Sequence, residues 1–302
     1  MRSPTVALAS LLLCSAALAQ APETISDDPP GANVPDGQDL SVLGIELGMT
    51  PEEVEAAYDS DFGEPFVTQD MQMGMTNPAN GARFELQFPA QTKQQVDQAA
   101  RYRDDGRTRK NTLAAFYGSP AVGNRMMGLY RYLYFGSDET PVPTVQFIDQ
   151  LKDKYGEPSG EYEARNGNTH RALYWVFDEN GKVELPEGIT FNGLVHSASA
   201  PSEPIVCQRA FERVAQRYRG SSDTADLDPY NFVENREIDA EDRRCRAGLL
   251  VTIGERDGNA ELANFFLADG KRMIENAEGL DAVIRRTLLE EPPKPVENAP
   301  EL

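Results

Sequence analysis

Apolar positions recur along this chain in two rhythms. One has a step of four and predicts short helices. Val54, Tyr58 and Phe62 follow Thr50-Pro51-Glu52-Glu53, where Thr50 suits an N-cap, Pro51 the first helical position and Glu53 the return half of a capping box. Gly63-Glu64-Pro65 then stops the helix. Phe147, Leu151 and Tyr155 repeat the stripe behind Thr144, read as a cap, and Gly156-Glu157-Pro158 repeats the stop. Ala210, Val214 and Tyr218 before Gly220 form a looser copy.

The other rhythm has a step of two and predicts strands. Phe84, Leu86 and Phe88 alternate with Arg83, Glu85 and Gln87. Met127, Leu129, Leu133 and Phe135 alternate with Tyr130, Tyr132 and Tyr134. Leu173, Trp175 and Phe177 run into Asp178-Glu179-Asn180-Gly181, and Leu249, Val251 and Ile253 into Asp257-Gly258, both hairpin signals. Leu262, Phe266 and Leu267 precede Asp269-Gly270, read as another turn. Strands joined by tight turns, with helices only one or two at a time, predict an α+β fold with a mainly antiparallel sheet. The matching stripe and stop predict two related halves, residues 39–137 and 141–288, each with a short helix or helices packed on the sheet. A Gly/Ser/Pro-rich break from Gly136 to Pro143 lies between them.

The ends differ from this body. Arg2, the apolar run Val6–Ala19 and the small-x-small triplet Ala17-Leu18-Ala19 have the layout of a secretory signal peptide, cleaved after Ala19. The run is too short to span a bilayer, and no later stretch is apolar enough to do so. Lipid attachment at Cys14 normally needs a small residue before it, and Leu13 stands there. Residues 20–38 are poor in large apolar side chains and predict a flexible leader, and residues 289–302 predict a disordered Pro/Glu-rich tail.

A resemblance rests on these elements. Leu47-Gly48-Met49-Thr50-Pro51-Glu52-Glu53-Val54 with Phe62-Gly63-Glu64-Pro65 resembles the G-M-T-x-x-x-V…G-x-P signature of SmpA/OmlA-type accessory proteins of outer-membrane β-barrel assembly. Tyr155-Gly156-Glu157-Pro158…Trp175-Val176-Phe177-Asp178-Glu179-Asn180-Gly181 is similar to the remainder of that pattern. Secreted β-lactamase-inhibitor proteins use a similar helix-plus-sheet unit in tandem. The resemblance implies a small envelope module, repeated, with an envelope protein as partner.

Charge and chemistry narrow the function further. A formal charge of −20, one unit lower once Arg2 is removed, disfavours nucleic acid and anionic lipid. Of three cysteines, Cys207 and Cys245 survive cleavage, and in an oxidising compartment they most simply form one disulfide. The two histidines, His170 and His196, are too few for most serine-triad or zinc sites. No G-x-S-x-G, H-E-x-x-H or P-loop occurs, so no enzyme and no cofactor are expected. Met71-x-Met73-x-Met75 puts three thioethers on one strand face. That is a weak candidate for Cu(I), with packing as the preferred reading. The acidic segment 223–242 lacks calcium-loop spacing and reads as a solvated loop. Tyr130, Tyr132 and Tyr134 share one face of a strand and are the preferred binding surface. The expected function is therefore a periplasmic or secreted, non-catalytic binding or assembly-accessory protein that presents a sheet face to a protein partner. The alternative is an enzyme inhibitor, or a hydrolase using a pair of carboxylates.

Overall fold

A computed structural model describes residues 24, 26–57, 66–94, 111–135, 141–166, 168–186, 205–219 and 243–290. The signal segment, Tyr58, Phe62, His196, residues 223–242 and the tail beyond 290 lie outside the described residues.

The fold is α+β, with one mainly antiparallel sheet of ten strands. They are β1 Phe66–Thr76, β2 Arg83–Gln94, β3 Asn111–Tyr117, β4 Met126–Tyr134, β5 Val142–Pro143, β6 Gly160–Asn166, β7 Asn168–Asp178, β8 Gly181–Lys182, β9 Ala247–Arg256 and β10 Asn259–Ala268. Four α-helices accompany them among the described residues: α1 Pro51–Ala57, α2 Thr144–Tyr155, α3 Gln208–Arg219 and α4 Gly270–Arg285. A 3-10 turn spans Pro120–Val122, and a π-helical turn, Arg286–Glu290, follows α4.

The strand order is β1-β2-β3-β4-β10-β9-β7-β6, with β5 beside β10 and β8 beside β7. Each side of residues 136–140 thus contributes four principal strands in chain order, and the last strand of each set, β4 and β10, meet in the middle. The predicted turns hold where backbone chemistry demanded them. Asp257 (φ 53°) and Gly258 (φ 78°) close β9 onto β10, and Gly181 (φ 109°) closes β7 onto β8.

Both faces of the sheet are covered. Leu129, Leu173, Trp175, Leu249, Val251 and Phe265 pack under Val54 of α1, under Phe147, Leu151 and Tyr155 of α2, and under the segment Leu40–Leu47. Phe116, Tyr130, Tyr174, Val176 and Phe266 pack under Ala210, Phe211 and Val214 of α3 and Met273 of α4. Both clusters draw on residues from each side of 136–140. A third cluster lies at the β1–β2 end. There Met71, Met73, Phe84, Leu86 and Phe88 pack against Leu280, Val283 and Ile284 of α4.

Three features differ from the sequence reading. Thr144 does not cap α2: its N–H donates to the Gly258 carbonyl at 3.0 Å, and the helix carries no side-chain cap bond. Asp269-Gly270 is not a hairpin turn. Asp269 is the N-cap of α4, accepting from the Arg272 N–H at 2.8 Å. Within the leader expected to be flexible, residues 26–35 lie against the body of the protein: Asn33 is buried and Val34 packs on the first cluster. Few apolar side chains hold this segment; hydrogen bonds and ion pairs to distant residues do.

Candidate functional site

Along the tyrosine strand β4, burial is complete from Met126 to Tyr130 and partial from Arg131 to Tyr134. Successive side chains alternate across it. Leu129, Arg131 and Leu133 face the first cluster. Arg131 lies 5.4 Å from the centroid of the Phe265 ring, and burial lowers its pKa. Tyr130 and Tyr132 face the second cluster. Met127 sits on the tyrosine side too, because the pairing of β3 with β4 shifts between Phe116 and Tyr117 and inserts one extra residue in β4.

The strand pairing sets these residues in rows. Tyr130 is opposite Phe266, which is opposite Leu250, which is opposite Tyr174. That row is core: Tyr130 is 5% exposed, its ring is 5.3 Å from Phe266, and its hydroxyl hydrogen-bonds Asn264 Oδ1 at 2.6 Å. The next row is Tyr132, Asn264, Thr252, Ala172 and Tyr162. Within it Asn264 Nδ2 donates to Thr252 Oγ1 at 3.2 Å, and the Tyr162 hydroxyl donates to the Pro186 carbonyl at 3.0 Å. The outermost row carries Tyr134, Leu262, Gly254 and His170. Tyr132, Tyr134 and His170 are half-buried. Burial raises the pKa of Tyr162 and, more strongly, of Tyr174, so both phenols stay protonated donors at neutral pH.

The other predicted residues fall elsewhere. Cys207 and Cys245 form a disulfide that ties the start of α3 to the start of β9. Met71 and Met73 are buried in the third cluster, with Met75 partly buried beside them. The same cluster holds Leu280, Val283 and Ile284 of α4. Carboxylates on the first face are tied to cations: Arg171 reaches Glu163 and Glu255 at 3.2 Å each, and Lys152 reaches Glu161 at 3.0 Å. Among the described residues, no group of three or more His, Cys, Asp or Glu side chains is arranged to hold a metal ion. No described helix is long and apolar enough to cross a membrane.

No family model, curated protein or solved structure matches this chain.

A polar cluster that the sequence did not announce lies at the start of α4. Asp269 and Arg272 are each 1% exposed and joined at 3.1 Å. Burial pushes the Asp269 pKa up, opposed by Arg272 and by the amide of Asn33. Asn276, one turn further on, accepts from the Ser119 N–H at 2.7 Å. The spacing Arg272…Asn276 inside an otherwise apolar stripe was the available signal.

Proposed function

We propose that this chain is an exported, non-catalytic binding or envelope-assembly accessory protein, and that it engages a protein partner through the outer rows of the tyrosine face. The observation that supports this is the gradient along β4: Tyr130 anchors the strand in the core while Tyr132 and Tyr134 are half-buried on the way out. Large amphipathic rings fixed on a rigid strand offer contact area at low entropic cost. The disulfide suits an oxidising compartment. The two sets of four principal strands are read as related halves, supported by the sequential place of each set in the sheet and by the meeting of β4 with β10; β8 and α3 are additions in the second set.

A photo-crosslinking residue in place of Tyr134 tests the reading in the periplasm. The expected result is one dominant crosslinked protein, lost when Tyr132→Ala is added. An absence of crosslinks from this strand, with the chain folded and exported, would overturn it.

A further inference from the structure

Three cations gather at the start of α4, each beside an acid of the body: Arg272 lies 3.1 Å from Asp269, Lys271 3.3 Å from Glu275 and Arg125 3.9 Å from Glu53. Lys271 and Arg272 come from the first turn of the helix, and Arg125 from the end of the 3-10 loop. Residues Ser26-Asp27-Asp28-Pro29-Pro30-Gly31-Ala32-Asn33 lie against these cations. Arg125 Nε donates to Asp27 Oδ1 at 2.7 Å, Lys271 Nζ to Asp28 Oδ2 at 3.0 Å, and Arg272 Nη2 to the Asp28 carbonyl at 3.1 Å. The Gly31 N–H donates to the Leu47 carbonyl at 2.8 Å, and Asn33 Nδ2 reaches both oxygens of Asp269. Pro29 and Pro30 pass so close to Gly48 that an added methyl there would come within 3.1 Å of Pro30 Cα and 3.2 Å of the Pro29 oxygen.

This contact has the make-up of a docked peptide. The segment joins no strand of the sheet, and only Asn33 among its residues is buried. Pro30 and Gly31 form the corner of a turn, with Gly31 at φ 74° and the Ala32 N–H donating to the Pro29 carbonyl at 3.2 Å. Cations read its two acids, and backbone bonds set its register. An exposed loop, residues 36–39, separates it from Leu40, where the core begins.

We propose that this surface is a peptide-binding site whose resident ligand is the chain's own residues 26–33. It accepts acidic, diproline-containing segments in trans once that ligand is released. The site is separate from the tyrosine face, and its test does not depend on that reading.

The experiment inserts a specific protease site between Asp36 and Gly37 of the otherwise complete chain and cuts it after folding. A fluorescent peptide of residues 24–35 is then added in excess. The expected result is exchange of the severed segment for the labelled one, with circular dichroism of the body unchanged. A peptide carrying Asp27→Asn and Asp28→Asn binds about tenfold more weakly, as does the natural peptide to Lys271→Ala protein. An unrelated acidic diproline peptide competes. Three outcomes overturn the proposal: no exchange, unfolding of the body on cutting, or equal binding of the Asn peptide. In the uncut chain, Arg125→Ala with Lys271→Ala speeds amide exchange of residues 26–33 and leaves β9 and β10 protected. Unchanged protection of 26–33 would count equally against it.

Discussion

Asn33 Nδ2 stands 3.0 Å from each carboxylate oxygen of Asp269, a residue 236 positions away in the chain. Asp269 also caps α4 and pairs with Arg272, so one buried carboxylate joins the N-terminal segment, a helix start and a buried cation. Asn33→Ala removes a neutral donor from a buried charge and should destabilise the protein by about 1–3 kcal/mol. Asp269→Ala leaves Arg272 buried without its counter-ion and should cost more, about 3–5 kcal/mol. Chemical denaturation of the two variants checks the order; an Asn33 effect as large as that of Asp269 would contradict it.

Asp28 gives this region a pH dependence. The hydrogen bond from Lys271 lowers its pKa below the ordinary 3.8, against a smaller opposing effect of burial. An acid with a depressed folded-state pKa contributes stability above its unfolded value and loses it as pH falls through the folded value. Asp28→Asn should therefore be less stable than the natural chain near neutral pH, and the gap should close as the pH falls from the ordinary 3.8 through the lower folded-state value. Thermal melts of both proteins across that range provide the measurement, and a gap that persists in acid would refute the assignment.

Gly48 and Gly258 separate two costs of adding a methyl group. Both have positive φ, 86° and 78°, so alanine at either suffers the left-handed penalty of about 1 kcal/mol. An added methyl at Gly258 meets nothing, whereas at Gly48 it comes within 3.1 Å of Arg272 Nη2 and of Pro30 Cα. Gly48→Ala should be the more damaging of the two, and the excess should shrink when residues 26–33 are displaced. Equal destabilisation would mean that the Pro29-Pro30 contact carries no energy.

The Cys207–Cys245 bond closes a loop across a sequence separation of 38. In the chain-entropy account this is worth about 4 kcal/mol. Reduction, or Cys207→Ala with Cys245→Ala, should lower the melting temperature and first release α3, whose described apolar grip consists of Ala210, Phe211, Val214 and Ala215. Hydrogen exchange that remains slow in α3 after reduction would show that these side chains alone suffice.

Where pattern and chemistry agreed, the sequence was readable. Phe147, Leu151 and Tyr155 are all buried, α2 ends at Gly156 with φ 77°, and Thr50 and Glu53 exchange their capping bonds as expected. Helix α4 was missed for two local reasons. Buried Arg272 and Asn276 interrupt the stripe formed by Met273, Ala277, Leu280 and Ile284. Gly270, read as a turn residue, is required by proximity: an added methyl would sit 2.2 Å from Cys245 Sγ. Neither fact is local in sequence. The tyrosine strand was legible as an alternation, but burial of Tyr130 depends on Phe266 and Asn264, more than a hundred residues away. The segment 26–33 was the least legible, since, apart from its own turn at Pro29–Ala32, its anchors Arg125, Asp269, Lys271 and Arg272 come from far along the chain.

The seam between β4 and β10 imposes an order of events. As the chain is made, β4 emerges with β3 on one side and a bare row of amides on the other. Its partner ends at Ala268, so that row stays uncovered until almost the whole described chain has appeared. An uncovered central strand invites association with other chains. Severing the polypeptide at residues 136–140 would leave each fragment with that edge bare until it meets the other, so they should be recovered reassembled or insoluble, not as two independent proteins.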